Sequence, residues 1–393
     1  MDLRERYDTA TKQLDPPLAL VDLKAFDHNA ADMARRAAGK PIRVATKSIR
    51  CRSLIARVLR HPGYHGLMAY SLPEALWQHQ HGLSTDILVA YPTVNREALT
   101  KLANDDEAAR HITIMVDEPA HLDLIDEITA SGQQIRVALD LDVSWRPAKN
   151  VHIGTRRSPL HTPEQAFEFA LAITKRSGMT LKGVMGYEGQ IAGLGDHPPG
   201  KPLKAAAIRF IQSKSSPELN ERRATAIERI RTIADLEFVN GGGTGSLEAT
   251  STDKSVTELA AGSGLVGPTL FDAYTRFRPR PALVYALPVT RKPEPHIATL
   301  FGGGYVASGT GTKNRLPKPY LPTGLKLTTT EGAGEVQTPV YGPAARQLRP
   351  GDRVWLRHAK AGELAERFTT YYLLDGDEAT PVPTYRGEGQ CFG

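Results

Sequence analysis

The sequence predicts a (β/α)₈ barrel of the TIM type followed by a β domain. Three observations carry that expectation: eight short β-rich runs each followed by a segment with helical spacing, glycine-rich loops after the last two runs, and a change of texture near residue 272. The candidate strands run Ile42 to Thr46, Gly66 to Tyr70, Asp86 to Tyr91, Ile112 to Asp117, Ile135 to Asp142, Leu181 to Tyr187, Leu236 to Asn240 and Leu259 to Gly264. An open doubly wound sheet would need fewer strands. Two intervening helices have clear starts. Pro73 stands at a first helical turn, and Thr162-Pro-Glu-Gln combines an N-cap with proline at N1 ahead of an apolar stripe.

Beyond Asp272 the periodicity gives way to proline, glycine and β-branched runs: Pro281-Ala-Leu-Val-Tyr-Ala-Leu-Pro-Val-Thr, His296-Ile-Ala-Thr-Leu-Phe, Leu325-Lys-Leu-Thr-Thr-Thr and Asp352-Arg-Val-Trp-Leu-Arg-His. Short runs bounded by turn signals read as a Greek-key or barrel-like β domain. The early run Pro17-Leu-Ala-Leu-Val-Asp-Leu precedes the barrel pattern and can add a strand to that domain. The expected division is therefore 1–30 pairing with the β domain, 31–272 as the barrel and 273–393 as the β domain.

Composition narrows the function class. In 393 residues, 40% hydrophobic and 23% charged content suits a soluble globular protein of two domains. The formal charge of +6 comes from scattered basic residues rather than a run, which argues against nucleic acid and for small anionic ligands. Cys51 and Cys391 have no metal-ligand spacing and no disulfide framework, so a reducing cytoplasm is expected. No stretch is long and apolar enough to span a bilayer, and the first residues lack a signal-peptide core, so no membrane partner is expected.

The chemistry gathers at the strand ends, where barrels of this type place catalytic groups, with phosphate sites after strands seven and eight. Lys47 follows the first candidate strand. A lysine at the rim of a low-dielectric pocket is a candidate Schiff-base nucleophile; its plainer reading is a strand-end lysine reaching to water. After the seventh run comes Asn240-Gly-Gly-Gly-Thr-Gly-Ser, where missing side chains let backbone N–H groups approach an anion and Thr244 or Ser246 adds a hydroxyl. Ala261-Gly-Ser-Gly follows the eighth. The other strand ends carry Tyr70-Ser71, Tyr91, Asp117, Asp142 and Tyr187-Glu-Gly-Gln, which suit a pocket for a flat, polar, phosphorylated ring. Asp117 and Asp142 read equally as helix N-caps. Arg156 and Arg157 lie in the connection after the fifth run, as surface charges or as partners of a ring nitrogen.

As an ordered set these features resemble the fold-type III pyridoxal-phosphate enzymes, the superfamily of alanine racemase, D-threonine aldolase and eukaryotic-type D-serine dehydratase. The likeness covers nearly the whole chain and is strongest to the aldolase and dehydratase branch, in the amino acid deaminase/aldolase group. It implies that Lys47 holds pyridoxal 5'-phosphate and acts as a base at Cα, that Tyr187 lies beside the cofactor, and that Gly242, Gly243 and Thr244, with Gly262 and Ser263 or Gly264, bind its phosphate. The arginine facing the pyridine nitrogen corresponds to Arg156 or Arg157, with Arg156 preferred because Ser158 stands where the family has glycine.

In those relatives the β domain holds a divalent metal through a histidine followed two residues later by aspartate or cysteine. The matching residues are His358 and Lys360, and an ammonium offers no lone pair. Either Lys360 replaces the metal as a cationic partner for the substrate's β-oxygen, or Glu363 or another carboxylate completes a modified site, or the β-hydroxyl chemistry is absent. His358 also has a plain reading as a strand histidine bonded to backbone. The leading expectation is a lyase that cleaves the Cα–Cβ bond of a D-configured β-hydroxy amino acid in a retro-aldol reaction, with His358 as base and Lys360 at the site. The alternatives are a Cα epimerase or racemase, a D-serine dehydratase-like deaminase and a non-catalytic PLP-binding protein, against which the long β-rich tail argues. The resemblance further implies an amino acid as the small-molecule substrate and a homodimer.

Overall fold

The computed structural model describes residues 2–129 and 134–393. By backbone contacts the chain divides into two compact units, one of Ala31–Lys47, Ile55–Gly262 and Phe392–Gly393, the other of Met1–Ala30, Ser48–Leu54 and Ser263–Cys391.

In chain order the strands begin with β1 (Leu18–Asp22), β2 (Ile42–Ala45), β3 (Tyr64–Ala69), β4 (Ile87–Val89), β5 (Ile112–Val116) and β6 (Ile135–Asp140). They continue with β7 (Trp145–Ala148), β8 (Val151–Ile153), β9 (Met179–Gly186), β10 (Phe238–Gly241) and β11 (Glu258–Ala261). The first unit is a closed barrel in the order β10-β11-β2-β3-β4-β5-β6-β9, with parallel pairing, so every one of the eight expected strands is present with ends shifted by a few residues. Runs such as Ile112–Val116 are buried at every position, as a parallel strand covered on both faces requires. Leu88, Met115, Ala138, Met185 and Phe238 fill the barrel interior, with Met68 packed against them. Gly183 makes room for that layer, since a Cβ there would fall 2.3 Å from the Phe238 ring.

The helix starts follow the sequence reading. Ser71 caps the helix Leu72–Gln80, and Thr162 forms a capping box with Gln165 ahead of Pro163–Thr174. Two features were not expected. β7 and β8 form an antiparallel hairpin between β6 and β9, and a single helix, Pro202–Ile230, runs through Pro217. The hairpin strands are short and largely exposed, so they carry no alternating buried pattern.

One charge cluster spans the barrel seam. Arg43 on β2 donates from Nε and Nη2 to the two carboxylate oxygens of Glu258 on β11 at 2.7 and 2.8 Å, and from Nη1 and Nη2 to Asp86, just ahead of β4, at 2.7 and 3.0 Å. Asn240 Nδ2 on β10 donates to Glu258 Oε1 at 2.8 Å. Gly66, at φ +63°, leaves the space, since a Cβ there would lie 2.8 Å from Arg43 Nη1.

The second unit is built on a nine-stranded sheet. Its later strands are β12 (Leu283–Glu294), β13 (Ile297–Phe301), β14 (Lys318–Leu321), β15 (Lys326–Leu327), β16 (Gln337–Tyr341), β17 (Arg353–Arg357), β18 (Thr370–Asp375) and β19 (Glu378–Pro383). The main path runs β15-β16-β13-β12-β1-β18-β19, and β17 pairs with both β12 and β14. The N-terminal strand β1 thus lies inside this sheet, antiparallel to β12 and parallel to β18. Its core gathers Tyr7, Leu18, Leu20, Val284, Ala286, Leu321, Trp355 and Leu374. Among the described residues no helix is long and apolar enough to cross a membrane.

Arg43→Met is expected to destabilise the barrel by about 3–5 kcal/mol in chemical denaturation, because Glu258 stays buried without its counter-charge. The double variant Arg43→Met/Glu258→Gln should recover part of that loss.

Candidate active site

Strand β2 ends at Ala45 and turns at once through a 3₁₀ segment, Thr46–Ser48, that presents Lys47 at the carboxyl end of the barrel. Thr46 Oγ1 donates to Met68 O at 3.0 Å and ties the turn to β3. Lys47 Nζ donates to Tyr91 Oη at 2.8 Å. Tyr91 lies just beyond β4, and the guanidinium of Arg157 lies 5.4 Å from its ring centre and 5.2 Å from that of Tyr187, which follows β9. Four side chains from four connections therefore meet at one end of the barrel. Burial raises the affinity of the Tyr91 phenol for its proton, but the charge and hydrogen bond of Lys47 and the charge of Arg157 outweigh it and hold the pKa below the ordinary tyrosine value. Tyr187, more deeply buried, is pushed up to about 12, with Arg157 opposing the shift.

Arg157, rather than the preferred Arg156, is the arginine stacked on these two rings. The register of the connection is set by the β7–β8 hairpin just before it, which sequence spacing did not show.

The glycine loop after β10 is held from beneath. Glu188 is buried and accepts from Gly242 N at 2.9 Å and from the Thr250 hydroxyl. Gly243 N donates to Ser246 Oγ at 3.1 Å, and Arg36 Nη2 donates to Thr244 O at 2.7 Å while pairing with Glu248. The N–H groups of Gly242 and Gly243 thus shape the loop. Gly243 also lets Tyr187 lie against it, since a Cβ there would fall 3.0 Å from Ala192 Cβ and 3.2 Å from Tyr187 Cε2. Gly262, at the exit of β11, sits where a Cβ would meet Ala45 O at 2.4 Å, and Ser263 opens the short helix Ser263–Val266, which includes Gly264.

Of the other strand-end residues, Ser71 is a helix cap, and Gln190 donates to Val143 O at 2.8 Å. Neither Asp117 nor Asp142 caps a helix. Asp117 lies 3.2 Å from His121 Nδ1, beside Glu118, which is the cap. Asp142 accepts from Ser144 N and Oγ and pairs with Arg146. Burial opposes its charge, but those bonds and His161 win and hold its pKa well below the carboxylate range. The sequence reading missed Asp140, at the carboxyl end of β6. Burial, the negative charge of Asp117 and, to a lesser degree, that of Asp142 push its pKa up to about 8 against the opposing Arg157.

In the second unit His358 directly follows β17. It is 3% exposed, and its Nδ1 lies 2.8 Å from the carbonyl oxygen of Lys360, an arrangement that puts the proton on Nδ1 and the lone pair on Nε2. Nε2 is buried and has no hydrogen-bond partner. Burial lowers the pKa to about 4, so the ring is neutral at neutral pH. His358, Lys360, Glu363, Arg367 and Tyr305 line a cavity of about 380 Å³. Lys360 Nζ donates to Ser308 Oγ at 2.9 Å, and Glu363 accepts from Ser308 N at 3.0 Å.

The family model described as "Alanine racemase, N-terminal domain" matches residues 21–268. The chain belongs to this family. It is 24% identical over 253 residues to the 3-hydroxy-D-aspartate aldolase of Paracoccus denitrificans (strain Pd 1222), a match spanning 64% of this chain and 60% of that protein. Among solved structures, D-threonine aldolase from Filomicrobium marinum superposes with a TM-score of 0.76 at 20% identity, covering 95% of this chain and 96% of that one. D-threo-3-hydroxyaspartate dehydratase from Delftia sp. HT23 gives 0.72 at 20% identity over 94% and 97%. Both likenesses extend over the barrel and the β domain together, which makes the fold alanine racemase-like throughout.

The family implies pyridoxal phosphate, and the residues present fit it. Lys47 at a strand end and aromatic rings backed by an arginine form a site for a flat ring, while Gly243 and Gly262 permit the close packing of that end of the barrel, since a Cβ at either would meet the protein's own atoms. The metal of the resemblance fits less well. Among the described residues, the three-donor group that could hold an ion is His79, Glu107 and His111 in the barrel, and it does not include His358.

Two outcomes are expected. Tyr91→Phe removes the hydroxyl that holds the Lys47 amine and should lower turnover on the order of 10–100-fold in steady-state kinetics while the protein still retains its cofactor. The folded-state pKa of Asp140 lies above the unfolded value, so its stabilising share is complete below about pH 4 and is lost as pH rises to about 8. Thermal melts of Asp140→Asn should therefore gain on the parent protein steadily across that window.

Proposed function

We propose that this protein is a pyridoxal-phosphate-dependent lyase that cleaves the Cα–Cβ bond of a D-configured β-hydroxy amino acid, releasing glycine and an aldehyde. The observation that carries the reading is the Lys47–Tyr91 hydrogen bond at the mouth of a family barrel, with Arg157 and Tyr187 beside it. The printed activities of the aldolase relatives support the reaction type.

When bound, pyridoxal phosphate supplies the electron sink next to Cα. Lys47 would hold it, with Thr244, Gly262, Ser263 and Gly264 around its phosphate and Gly242 and Gly243 shaping that loop. Tyr187 would pack beside the ring, and the positive charge of Arg157 would disfavour protonation of its nitrogen. The Lys47 amine and the Tyr91 hydroxyl exchange a proton over 2.8 Å, which lets Lys47 return a proton to Cα after the bond breaks. His358, neutral and with its lone pair on Nε2, is the base for the β-hydroxyl proton. Lys360 takes the position that the resemblance assigns to a metal ligand, and its ammonium would supply positive charge for the β-oxygen. No step needs a metal at His358.

A homodimer working in a reducing cytoplasm belongs to the same reading. Cys51 is buried, Cys391 is exposed, and both are free thiols.

The test is product analysis with D-threonine, D-serine, D-alanine and D-3-hydroxyaspartate. Glycine plus an aldehyde or oxo acid is the expected result. Ammonia plus a keto acid, or the inverted enantiomer without glycine, would overturn the retro-aldol reading. Lys47→Ala should abolish both turnover and the visible absorption of the bound cofactor. Lys360→Met should lower kcat/KM on the order of 100-fold with that absorption intact.

A further inference from the structure

We propose that the barrel carries a second, non-catalytic site, for a zinc-class transition-metal ion, formed by His79, Glu107 and His111. His79 lies in the last turn of the helix Leu72–Gln80, while Glu107 and His111 stand four residues apart on the helix Asp106–His111. That spacing puts both of the latter on one helix face. One ligand atom from each of the three lies within 4.8 Å of the others, and His79 Nε2 and His111 Nδ1 are 3.0 Å apart with the rings inclined at 51°.

The separation is what selects the ligand. Two imidazole nitrogens bound to one tetrahedral zinc at 2.0–2.1 Å lie about 3.3 Å apart, so the pair needs to open by only a few tenths of an ångström. Glu107 is exposed, and its side chain can swing in without disturbing the core. Two imidazoles and one carboxylate make an N₂O donor set that favours zinc, nickel or copper over magnesium or calcium, with a fourth position for water. The neighbouring His81 is drawn aside, its Nδ1 lying 2.8 Å from Trp77 O and its ring inclined at 52° to that of Trp77.

Position argues for a brace rather than a catalyst. The helix Asp106–His111 runs straight into the start of β5, and the helix Leu72–Gln80 ends on the approach to β4, so the cluster lies at the amino end of the strands. Lys47 and Tyr91 lie at the carboxyl end. An ion here joins two helices of the outer ring at the end of the barrel that serves stability.

The experiment is a zinc chloride titration of the tag-free, full-length holoenzyme after chelator treatment and dialysis, followed by calorimetry and by melting temperature, with magnesium chloride as the control probe. The proposal expects one saturable zinc per chain that His79→Ala and His111→Ala each abolish and His358→Ala retains. It also expects Glu107→Gln to weaken that zinc about tenfold, a melting temperature that rises with zinc only where the site is intact, and turnover unchanged by loading. X-ray absorption at the zinc edge should show two imidazole ligands. Should either histidine variant fail to fold, the spectrum and the Glu107→Gln titration decide on their own. Absence of saturable uptake, or uptake that persists in His79→Ala and His111→Ala but is lost in His358→Ala, would overturn it.

Discussion

Arg43 is 2% exposed at its side chain and binds two carboxylates at once, Glu258 on β11 and Asp86 ahead of β4, so three neighbouring connections of the barrel share one buried charge cluster. Removing a guanidinium and a carboxylate from water is costly, and the cost is offset only when every bond is made in the right geometry. The cluster therefore discriminates between registers more than it adds net stability. A one-residue slip of β2 would carry Arg43 out of the barrel wall and leave Glu258 alone. Lys47 lies four residues further along the same strand and turn, so the seam that sets the register of β2 also sets the position of the Lys47 amine. Gly66 and Gly262 belong to the same arrangement, one making room for the guanidinium and the other for the backbone of Ala45.

The carboxyl end of the barrel is organised in two layers. Lys47, Tyr91, Arg157 and Tyr187 gather in one, while Glu188, Arg223 and Asp253 lie behind the glycine loop. Arg223 is fully buried and pairs with Asp253 at 2.8 Å, and Glu188 holds Gly242 in place. A loop of glycines has little conformational preference of its own, so its shape must be imposed by fixed charges beneath it. The same charges govern the titration of the pocket. Lys47 and Arg157 lower the pKa of Tyr91, whereas Asp140, set among other carboxylates, remains neutral to unusually high pH.

The β domain solves a different electrostatic problem. Lysine at position 360 offers an amine donor where a metal ligand is expected from the sequence. The Lys360 carbonyl oxygen fixes the tautomer of His358 while its side-chain nitrogen donates to Ser308, so one residue orients the histidine and lies beside it in the same cavity.

The alternation of strand and helix, the lysine at a strand end and the glycine loops were legible because each depends on a few consecutive residues: buried strands read as apolar runs, and glycine marks close approach. The hairpin β7–β8 was not legible, since Trp145-Arg-Pro-Ala has no buried face to create a pattern. For the same reason the two adjacent arginines could not be told apart until that hairpin set their register. By itself, then, the sequence determined the barrel, the β domain, the family and the place of Lys47. Only the tertiary structure decided that Arg157 stacks on Tyr91 and Tyr187, that Glu188 underlies the glycine loop, that Asp140 is a neutral acid and that His79 meets His111. Those outcomes depend on distances and fields between residues remote in the chain, and local propensity carries no record of them.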